Sequence, residues 1–315
     1  MRNNFLGDVQ LGPDEEEEIR QKVRDMSDPI TRFSERINPK MVGVEKKKEA
    51  LLLALASPHD AQGDRGRVHV LLYGPPGTGK SAILTWLRDH LSAGYASKKS
   101  TEAGIVGSMA HGKARKGILP KNHRGVCVVD ELDKMKKEDR EGLLECMSEG
   151  RVTMQGSEVE ESWRANTIVL ASVNDKEKLT KKLRHRFDLR LKFGYYDRET
   201  GKKILEDKSK NFLKKKGDEE DITTLKKYLK AVRRFDIEID KPEACKRAIE
   251  EFLEMNDIKE VNPRDHIARF MRIGLCHARL HFRKPRVVDF AEAIHLLLGD
   301  SHYATEGLKR LGRDE

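Results

Sequence analysis

One stretch of this chain decides its fold: Gly74-Pro75-Pro76-Gly77-Thr78-Gly79-Lys80-Ser81. It matches the pattern G-x-x-x-x-G-K-[ST] and lies between an apolar run, residues 69–73, and a helical pattern, residues 82–88. A strand that leads through such a turn into a helix directs successive backbone N–H groups at one point, which favours a bound phosphate. In this pattern Lys80 reaches the β- and γ-phosphates, and the Ser81 hydroxyl holds Mg²⁺. The stretch therefore predicts a site for ATP and Mg²⁺.

Two adjacent carboxylates follow a second apolar run. Residues 126–129 predict a buried parallel strand, and Asp130 and Glu131 stand at its C-terminal end. Open α/β sheets bind their ligands at this edge. Because adjacent strand residues point to opposite sides, we expect separate roles for the two acids. Asp130 is expected in the Mg²⁺ shell, and Glu131 is expected to orient and deprotonate the attacking water.

Further polar residues end a third apolar run. Residues 167–173 predict a strand that ends in Asn174, whose amide would hydrogen-bond the attacking water or the γ-phosphate. The alternative is an asparagine that only begins a turn. Arg184 and Arg186 come just before another strand-like segment. Arginine suits the charge that develops on a transferring phosphoryl group, and a neighbouring subunit can supply it.

The composition indicates a soluble, intracellular protein with a heavily charged surface. Hydrophobic and charged residues each make up 37% of the chain. The longest apolar run, residues 50–56, is far shorter than the ~20 residues that span a bilayer, and residues 1–5 lack the apolar core of a signal peptide. The four cysteines have neither zinc-ligand nor disulfide-framework spacing. A net charge of +9 weakly favours a nucleic-acid partner.

The patterns along the chain predict an α/β domain followed by a smaller helical one. Residues 68–193 alternate strands with helices, which predicts a parallel sheet flanked by helices. From Tyr196 onward helical patterns take over, which predicts a small α-helical lid. We expect a linker helix in residues 1–36, the ATPase core in 37–195 and the lid in 196–315.

These pieces together resemble the AAA+ ATPases. Residues 74–81 look like Walker A, 126–131 like Walker B, Asn174 like sensor 1 and Arg186 like the arginine finger. Two short stretches are similar to motifs of the minichromosome maintenance (MCM) replicative helicases. They are Asp-Glu-Leu-Asp-Lys-Met at residues 130–135 and His-Arg-Phe-Asp at residues 185–188. Segments before Walker A and in the C-terminal third resemble the same family, from about residue 11 to residue 298.

The resemblance implies a ring-shaped motor, a hexamer with ATP sites shared between subunits. Lys80, Ser81, Asp130, Glu131 and Asn174 would come from one subunit and Arg186 from the next. The implied activity is a DNA helicase or translocase in replication, or an accessory subunit that works with replication partners. The alternative is a MoxR-like AAA+ ATPase that remodels proteins. It stays open because Gly74-Pro75-Pro76-Gly77 is the generic AAA+ sequence of this loop.

The chain also departs from the MCM pattern. We expect a bare motor, without the family's oligonucleotide-binding, zinc-bearing and winged-helix regions. The hairpin predicted at residues 151–160 has Gly156 at or next to the position where the family has a DNA-gripping lysine, and acidic residues follow it. The sensor 2 register leaves Arg264 one residue before the arginine position of the family.

A basic segment, residues 94–125, offers another source of DNA contacts. The matching MCM stretch includes a helical insert that projects into the pore. The segment is rich in lysine and arginine and nearly free of acids, so its cations would contact a DNA backbone without reading bases. A disordered, solvated loop is the alternative for these residues.

Overall fold

The computed structural model describes most of the chain. It covers residues 5–58, 60–61, 64–110, 113–155, 160–196, 198–211, 218–237, 246–247, 249–250, 254 and 267–298. Twelve α-helices have both ends within these ranges: α1 (Pro13–Arg24), α2 (Pro29–Ser34), α3 (Glu45–Ala56), α4 (Lys80–Leu91), α5 (Glu102–Ile105), α6 (Ile118–Lys121), α7 (Lys137–Glu149), α8 (Lys181–Arg184), α9 (Arg198–Asn211), α10 (Asp218–Arg234), α11 (Ala268–Leu280) and α12 (Val287–Leu298). None of the helices in the described ranges is long and apolar enough to cross a bilayer.

A parallel sheet of five strands forms the centre of the fold. Its strands lie in the order β11 (Leu189–Lys192), β3 (Val70–Tyr73), β10 (Ile168–Val173), β7 (Val126–Asp130) and β4 (Gly94–Ser97). All four pairings are parallel. The shared direction brings the C-terminal ends of the central strands to one edge, where Val173 pairs with Tyr73 and Asp130 with Ser97. The predicted α/β fold is confirmed.

The sheet separates two hydrophobic cores. Side chains of a strand alternate between faces, and here Leu72, Val128 and Leu170 join one core while Leu71, Val129 and Val169 join the other. The second core is closed mainly by the helices that precede and follow β7, including Ile105 and Leu143. A sheet covered on both faces explains why its strands are continuous apolar runs in the sequence.

The first core contains residues from all three predicted segments. It joins the sheet to α3, to the N-terminal Phe5–Phe33 region and to the helices from α10 onward. Helix α1 also contacts α10 through ion pairs, Lys227 with Glu15 and Arg234 with Glu16. The linker, core and lid boundaries near residues 36 and 195 remain predictions, because the three segments share one packed interior.

Two short antiparallel hairpins accompany the sheet, and a third pairing joins β1 (Asp60–Ala61) to β2 (Asp64–Arg65). The expected hairpin before sensor 1 is present as β8 (Arg151–Gln155) and β9 (Glu160–Arg164). Its tip, with Gly156, lies outside the described residues. The basic segment differs from the expected helical insert and from a solvated loop. It contains the hairpin β5 (Gly107–Ala110) and β6 (Lys113–Lys116), flanked by the four-residue helices α5 and α6.

Candidate nucleotide site

The glycine-rich loop joins β3 to α4 and requires glycine at two close approaches. Gly74 has φ 141° and Gly79 has φ 94°, both in the region that favours glycine. A Cβ on Gly74 would lie 1.9 Å from the backbone oxygen of Phe193, and one on Gly79 would lie 2.3 Å from Cε of Met41. Gly77 differs, because a Cβ there would meet only open space. The loop is therefore packed at its base and open where a phosphate would approach.

Lys80 begins helix α4 and folds back over the loop. Its Nζ donates to the backbone oxygens of Gly74 (2.7 Å) and Pro75 (2.6 Å). The side chain is buried, and this burial lowers the pKa of Lys80, while the charges of Asp133 and Asp130 act in the opposite direction. The ammonium group is thus held within the phosphate-binding loop, where the charges of Asp133 and Asp130 offset part of the effect of burial.

Ser81 and Asp130 meet across the edge of the sheet. The Ser81 Oγ donates to Asp130 Oδ1 at 3.0 Å, and the hydroxyl of Ser172 on β10 donates to the same oxygen. Two oxygen ligands at right angles on an octahedral Mg²⁺, each about 2.1 Å from the ion, are about 3 Å apart. The Ser81–Asp130 pair fits such an ion, since its hydroxyl and carboxylate oxygens already have that separation.

Glu131 turns away from Asp130 because of its backbone conformation. Its φ of 54° is left-handed, which is uncommon for a residue other than glycine. One carboxylate oxygen is 2.8 Å from Nζ of Lys98, and the other contacts Nζ of Lys134. The hydrogen bonds from Lys134 and Lys98 lower the pKa of Glu131. The carboxylate is therefore ionised and held by two ammonium groups.

Asp133 connects the turn after β7 to Asn174. Its Oδ2 accepts the backbone N–H groups of Asn174 (3.2 Å) and Asp175 (3.3 Å). The other oxygen, Oδ1, is buried and has no hydrogen-bond partner among the described residues. Sequence reasoning quoted Asp133 within the MCM-like motif but gave it no role. The signal that could have found it is its spacing of three residues from Asp130.

Arg186 lies at the opposite end of β3 from the glycine-rich loop. The N–H groups of Asp188 and Leu189 donate to the backbone oxygen of His69, and Leu189 pairs with Val70, the first residue of β3. Gly74 follows the last residue of that strand. Five residues of extended chain span about 16 Å. The strand therefore separates Arg186 from the phosphate-binding loop of its own subunit.

The remaining predicted features are Arg264, Arg184 and the basic segment. Arg264 lies outside the described residues, so its sensor 2 role stays a prediction. Arg184 forms an ion pair with Glu177. Of the basic segment, Lys98 binds Glu131, whereas the side chains of Arg115 and Lys116 on β6 are exposed and have no ion pair within the described ranges.

Among the described residues, one cluster with metal-ligand chemistry lies in the predicted lid and is formed by His277, His281 and Asp289. Asp289 is already saturated, because its oxygens accept from His277 Nδ1, from both terminal nitrogens of Arg283 and from the backbone N–H of Arg286. The carboxylate oxygens of Asp289 therefore take part in an internal hydrogen-bond network and are not placed to bind a cation.

Comparisons with known proteins agree with this geometry. Residues 15–192 match the model of the MCM P-loop domain. The chain is 32% identical over 174 residues to the DNA replication licensing factor MCM7 of Arabidopsis thaliana, a match that covers 51% of this chain and 24% of that protein. It is 31% identical over 255 residues to the minichromosome maintenance protein MCM of Saccharolobus solfataricus, covering 70% and 36%. It is 30% identical over 165 residues to MCM3 of Entamoeba histolytica, covering 49% and 28%.

The matched part therefore spans between 24% and 36% of the length of these relatives. The family match extends from α1 to the end of β11 and includes the loop, Asp130, Glu131, Asn174 and Arg186. The chain belongs to the MCM P-loop domain family.

Proposed function

We propose that this chain is an ATP-hydrolysing motor that acts on DNA during replication. The observation that carries the proposal is the meeting of Lys80, Ser81 and Asp130 at one edge of the parallel sheet, with a Ser81–Asp130 separation that suits Mg²⁺. The protein-remodelling alternative is not favoured, since the matching family is MCM rather than a MoxR-like group.

The residues at this edge would have separate roles in ATP hydrolysis. The backbone N–H groups of residues 74–79 and the Lys80 ammonium would hold the phosphates, and Ser81 and Asp130 would hold Mg²⁺. The bound ion would neutralise charge on the transferring phosphoryl group. Glu131 would accept a proton from the attacking water once its carboxylate leaves Lys98 and Lys134. Asn174 would orient that water through its amide.

A ring of subunits would complete each site. Because β3 separates Arg186 from its own loop, its guanidinium suits the site of a neighbouring subunit instead. This arrangement agrees with the arginine finger that the resemblance implies. A hexameric ring, with DNA and replication proteins as partners, extends this proposal to the whole assembly.

DNA is the proposed substrate on two grounds. The names of the relatives place those proteins in DNA replication. This chain also presents Arg115 and Lys116 on the exposed strand of the β5–β6 hairpin without competing ion pairs among the described residues. Exposed cations bind phosphates irrespective of sequence.

ATP hydrolysis by two variants tests the proposal. Glu131→Gln should bind ATP with unchanged affinity but nearly abolish turnover, because an amide cannot accept the water proton while Lys80 still holds the phosphates. Lys80→Ala should lose both binding and turnover. Binding is measured with a fluorescent ATP analogue and turnover by phosphate release. Turnover by Glu131→Gln at the parent rate would contradict the role of Glu131, and turnover by Lys80→Ala would contradict the site itself.

A further inference from the structure

The segment that carries Arg186 is held by arginine side chains from two distant parts of the chain. Arg65, on β2, donates through Nη1 to the backbone oxygen of Arg186 (3.2 Å) and through Nη2 to Asp188 Oδ1 (2.7 Å). Arg272, on α11, donates through Nη2 to the same Asp188 oxygen (2.5 Å). Arg186 itself and Asp188, two residues after it, are therefore anchored from outside their own element.

Asp188 is the centre of this cluster. Its side chain is only 1% exposed, and its second oxygen accepts the backbone N–H of His69 at 2.9 Å. The pKa of Asp188 falls to about 2 because the favourable charges of Arg65 and Arg272 outweigh the effect of burial. His69 adds no charge, since burial holds its pKa well below the ordinary value. One carboxylate thus holds two guanidinium groups in fixed positions.

The cluster also constrains the backbone of Arg186. Burial lowers the pKa of Arg65 to about 10, and the charges of Arg272 and Arg186 act in the same direction, against that of Asp188. The Arg186 side chain is itself partly enclosed, since its Nε is buried. The cluster therefore fixes the backbone at Arg186 through the hydrogen bond from Arg65.

The contact of Arg272 also connects the cluster to the predicted lid, because α11 belongs to that segment. A neighbouring turn of the same helix makes a further contact, from Arg269 Nη2 to the backbone oxygen of His185 at 3.4 Å. A buried ion pair contributes little net stability, but removing one partner is costly, so such pairs set geometry more than they strengthen a fold. The lid helix and the Arg186 segment are consequently constrained to move together.

We propose that Arg65, Asp188 and Arg272 form a positioning cluster that sets Arg186 for the ATP site of the neighbouring subunit and ties that setting to the lid. The inference rests on the proposed function of Arg186 in the neighbouring site. All three residues lie outside the loop of residues 74–81 and outside the Asp130–Glu131 pair that form the proposed nucleotide site. Their effect acts through Arg186, so a defect in the cluster appears in the neighbour's site and not in the subunit's own.

Mixed rings test this inference. Arg272→Met keeps the apolar stem and removes both the charge and the donor. Displacing a reacting group by about 1 Å can lower a rate by ~100-fold, so a 10- to 100-fold slower turnover is the expected order of magnitude. ATP affinity should stay within about twofold of the parent, because the glycine-rich loop is untouched. Adding Lys80→Ala subunits, which supply an intact Arg186 segment, should restore part of the turnover.

Three comparisons make the result decisive. Arg283→Met is the matched control, because it also removes an arginine from a buried lid carboxylate, Asp289, without contact to the Arg186 segment, and it should keep parent turnover. Arg186→Ala mixed with Lys80→Ala is the reference. Arg272→Lys, which keeps the charge, should give intermediate turnover and replaces the methionine variant if that variant does not fold.

The outcomes separate the two proposals. Rescue in the reference mixture without rescue of Arg272→Met or Arg272→Lys would overturn the positioning cluster and leave the shared site intact. No rescue in the reference mixture, with mixed rings present by native mass spectrometry, would overturn the shared role of Arg186 and the cluster with it. Equal loss in Arg283→Met would show a general lid defect, which also contradicts the cluster.

Discussion

Asp130 and Glu131 are neighbours in sequence with separate surroundings. Asp130 accepts from two hydroxyl groups, those of Ser81 and Ser172, and so remains at the edge of the sheet. Glu131 adopts the left-handed conformation and reaches Lys98 and Lys134 instead. The sequence predicts their separation from strand alternation, but β7 ends at Asp130, and the left-handed conformation of Glu131 produces the separation instead. The sequence does not predict the two lysine contacts, because Lys98 is brought in by a different strand.

The lysine contacts lead to a prediction about pH. Replacing Lys98 with methionine removes one of the hydrogen bonds that lower the pKa of Glu131, so that pKa should rise. A general base works only when ionised, so the acidic limb of the kcat profile should move to higher pH. Basal turnover at neutral pH should increase, because the carboxylate is less tightly held. Phosphate release measured from pH 4 to pH 8 checks both effects.

The control for this variant is Lys99→Met. Lys99 is an exposed neighbour, and its backbone N–H contacts Ser97 while its side chain has no described contact with Glu131. Its pH profile should match the parent. If Lys98→Met and Lys99→Met have the same profile as the parent, the Lys98–Glu131 pair does not control the base.

Asp133 gives a second prediction at this scale, on stability. Asp133→Asn retains an oxygen that can accept the N–H groups of Asn174 and Asp175, whereas Asp133→Ala leaves both partly buried groups without this acceptor. An intramolecular hydrogen bond contributes about 0.5–1.5 kcal/mol net. We therefore expect the alanine variant to be less stable than the asparagine variant by an amount of that order. Urea unfolding measures the difference, and equal free energies of unfolding would contradict the anchoring role of Asp133.

At the scale of elements, the two hairpins support each other. Gly107 begins β5 with φ 148°, and a Cβ there would lie 2.4 Å from the ring of Trp163 on β9. The β5–β6 hairpin therefore rests against β8–β9 as an ordered structure. Gly107 is the residue that allows this approach, so the cations of β6 are presented on a fixed strand.

The exposed cations of the β5–β6 hairpin lead to a prediction about DNA binding. Replacing both Arg115 and Lys116 with alanine removes two exposed cations and should weaken single-stranded DNA binding at low salt. Each lost phosphate contact lowers the salt slope by about 0.7 for a single strand, so the slope should fall by up to about 1.4. Fluorescence anisotropy at several salt concentrations measures it.

The matched control replaces Lys246 and Arg247, which form an exposed adjacent pair of the same composition in the predicted lid. The control removes equal charge and should leave the slope close to the parent value. Equal changes in both variants would show that net charge, rather than the β6 surface, binds DNA.

The sequence predicts the parts of this molecule that depend on local pattern. The strand–loop–helix around Lys80 follows from spacing and apolar runs, and so do β7, β10 and their terminal residues. The β5–β6 hairpin was missed because the segment is rich in glycine and lysine and carries no clear alternation. The Asp188 cluster was also missed, because its partners lie 123 and 84 residues away in sequence and only the fold brings them together.

At the scale of the whole molecule, one core joins the sheet to the helices that flank it in sequence. Buried residues from Phe5 to Ala293 belong to the same cluster. The positioning cluster adds a polar connection between β2, the Arg186 segment and α11. A shift of the predicted lid would therefore displace Arg186, which lies at the far end of β3 from the glycine-rich loop of the same chain.

The ATPase rate with and without single-stranded DNA tests the central claim of a DNA-acting motor most directly. The rate is measured by phosphate release at about 50 mM and about 200 mM salt, with Lys80→Ala as the blank. We predict stimulation by DNA at the lower salt and weaker stimulation at the higher salt, because phosphate contacts weaken as salt rises. A rate that depends on Lys80 but is the same with and without DNA at both salts would contradict the account.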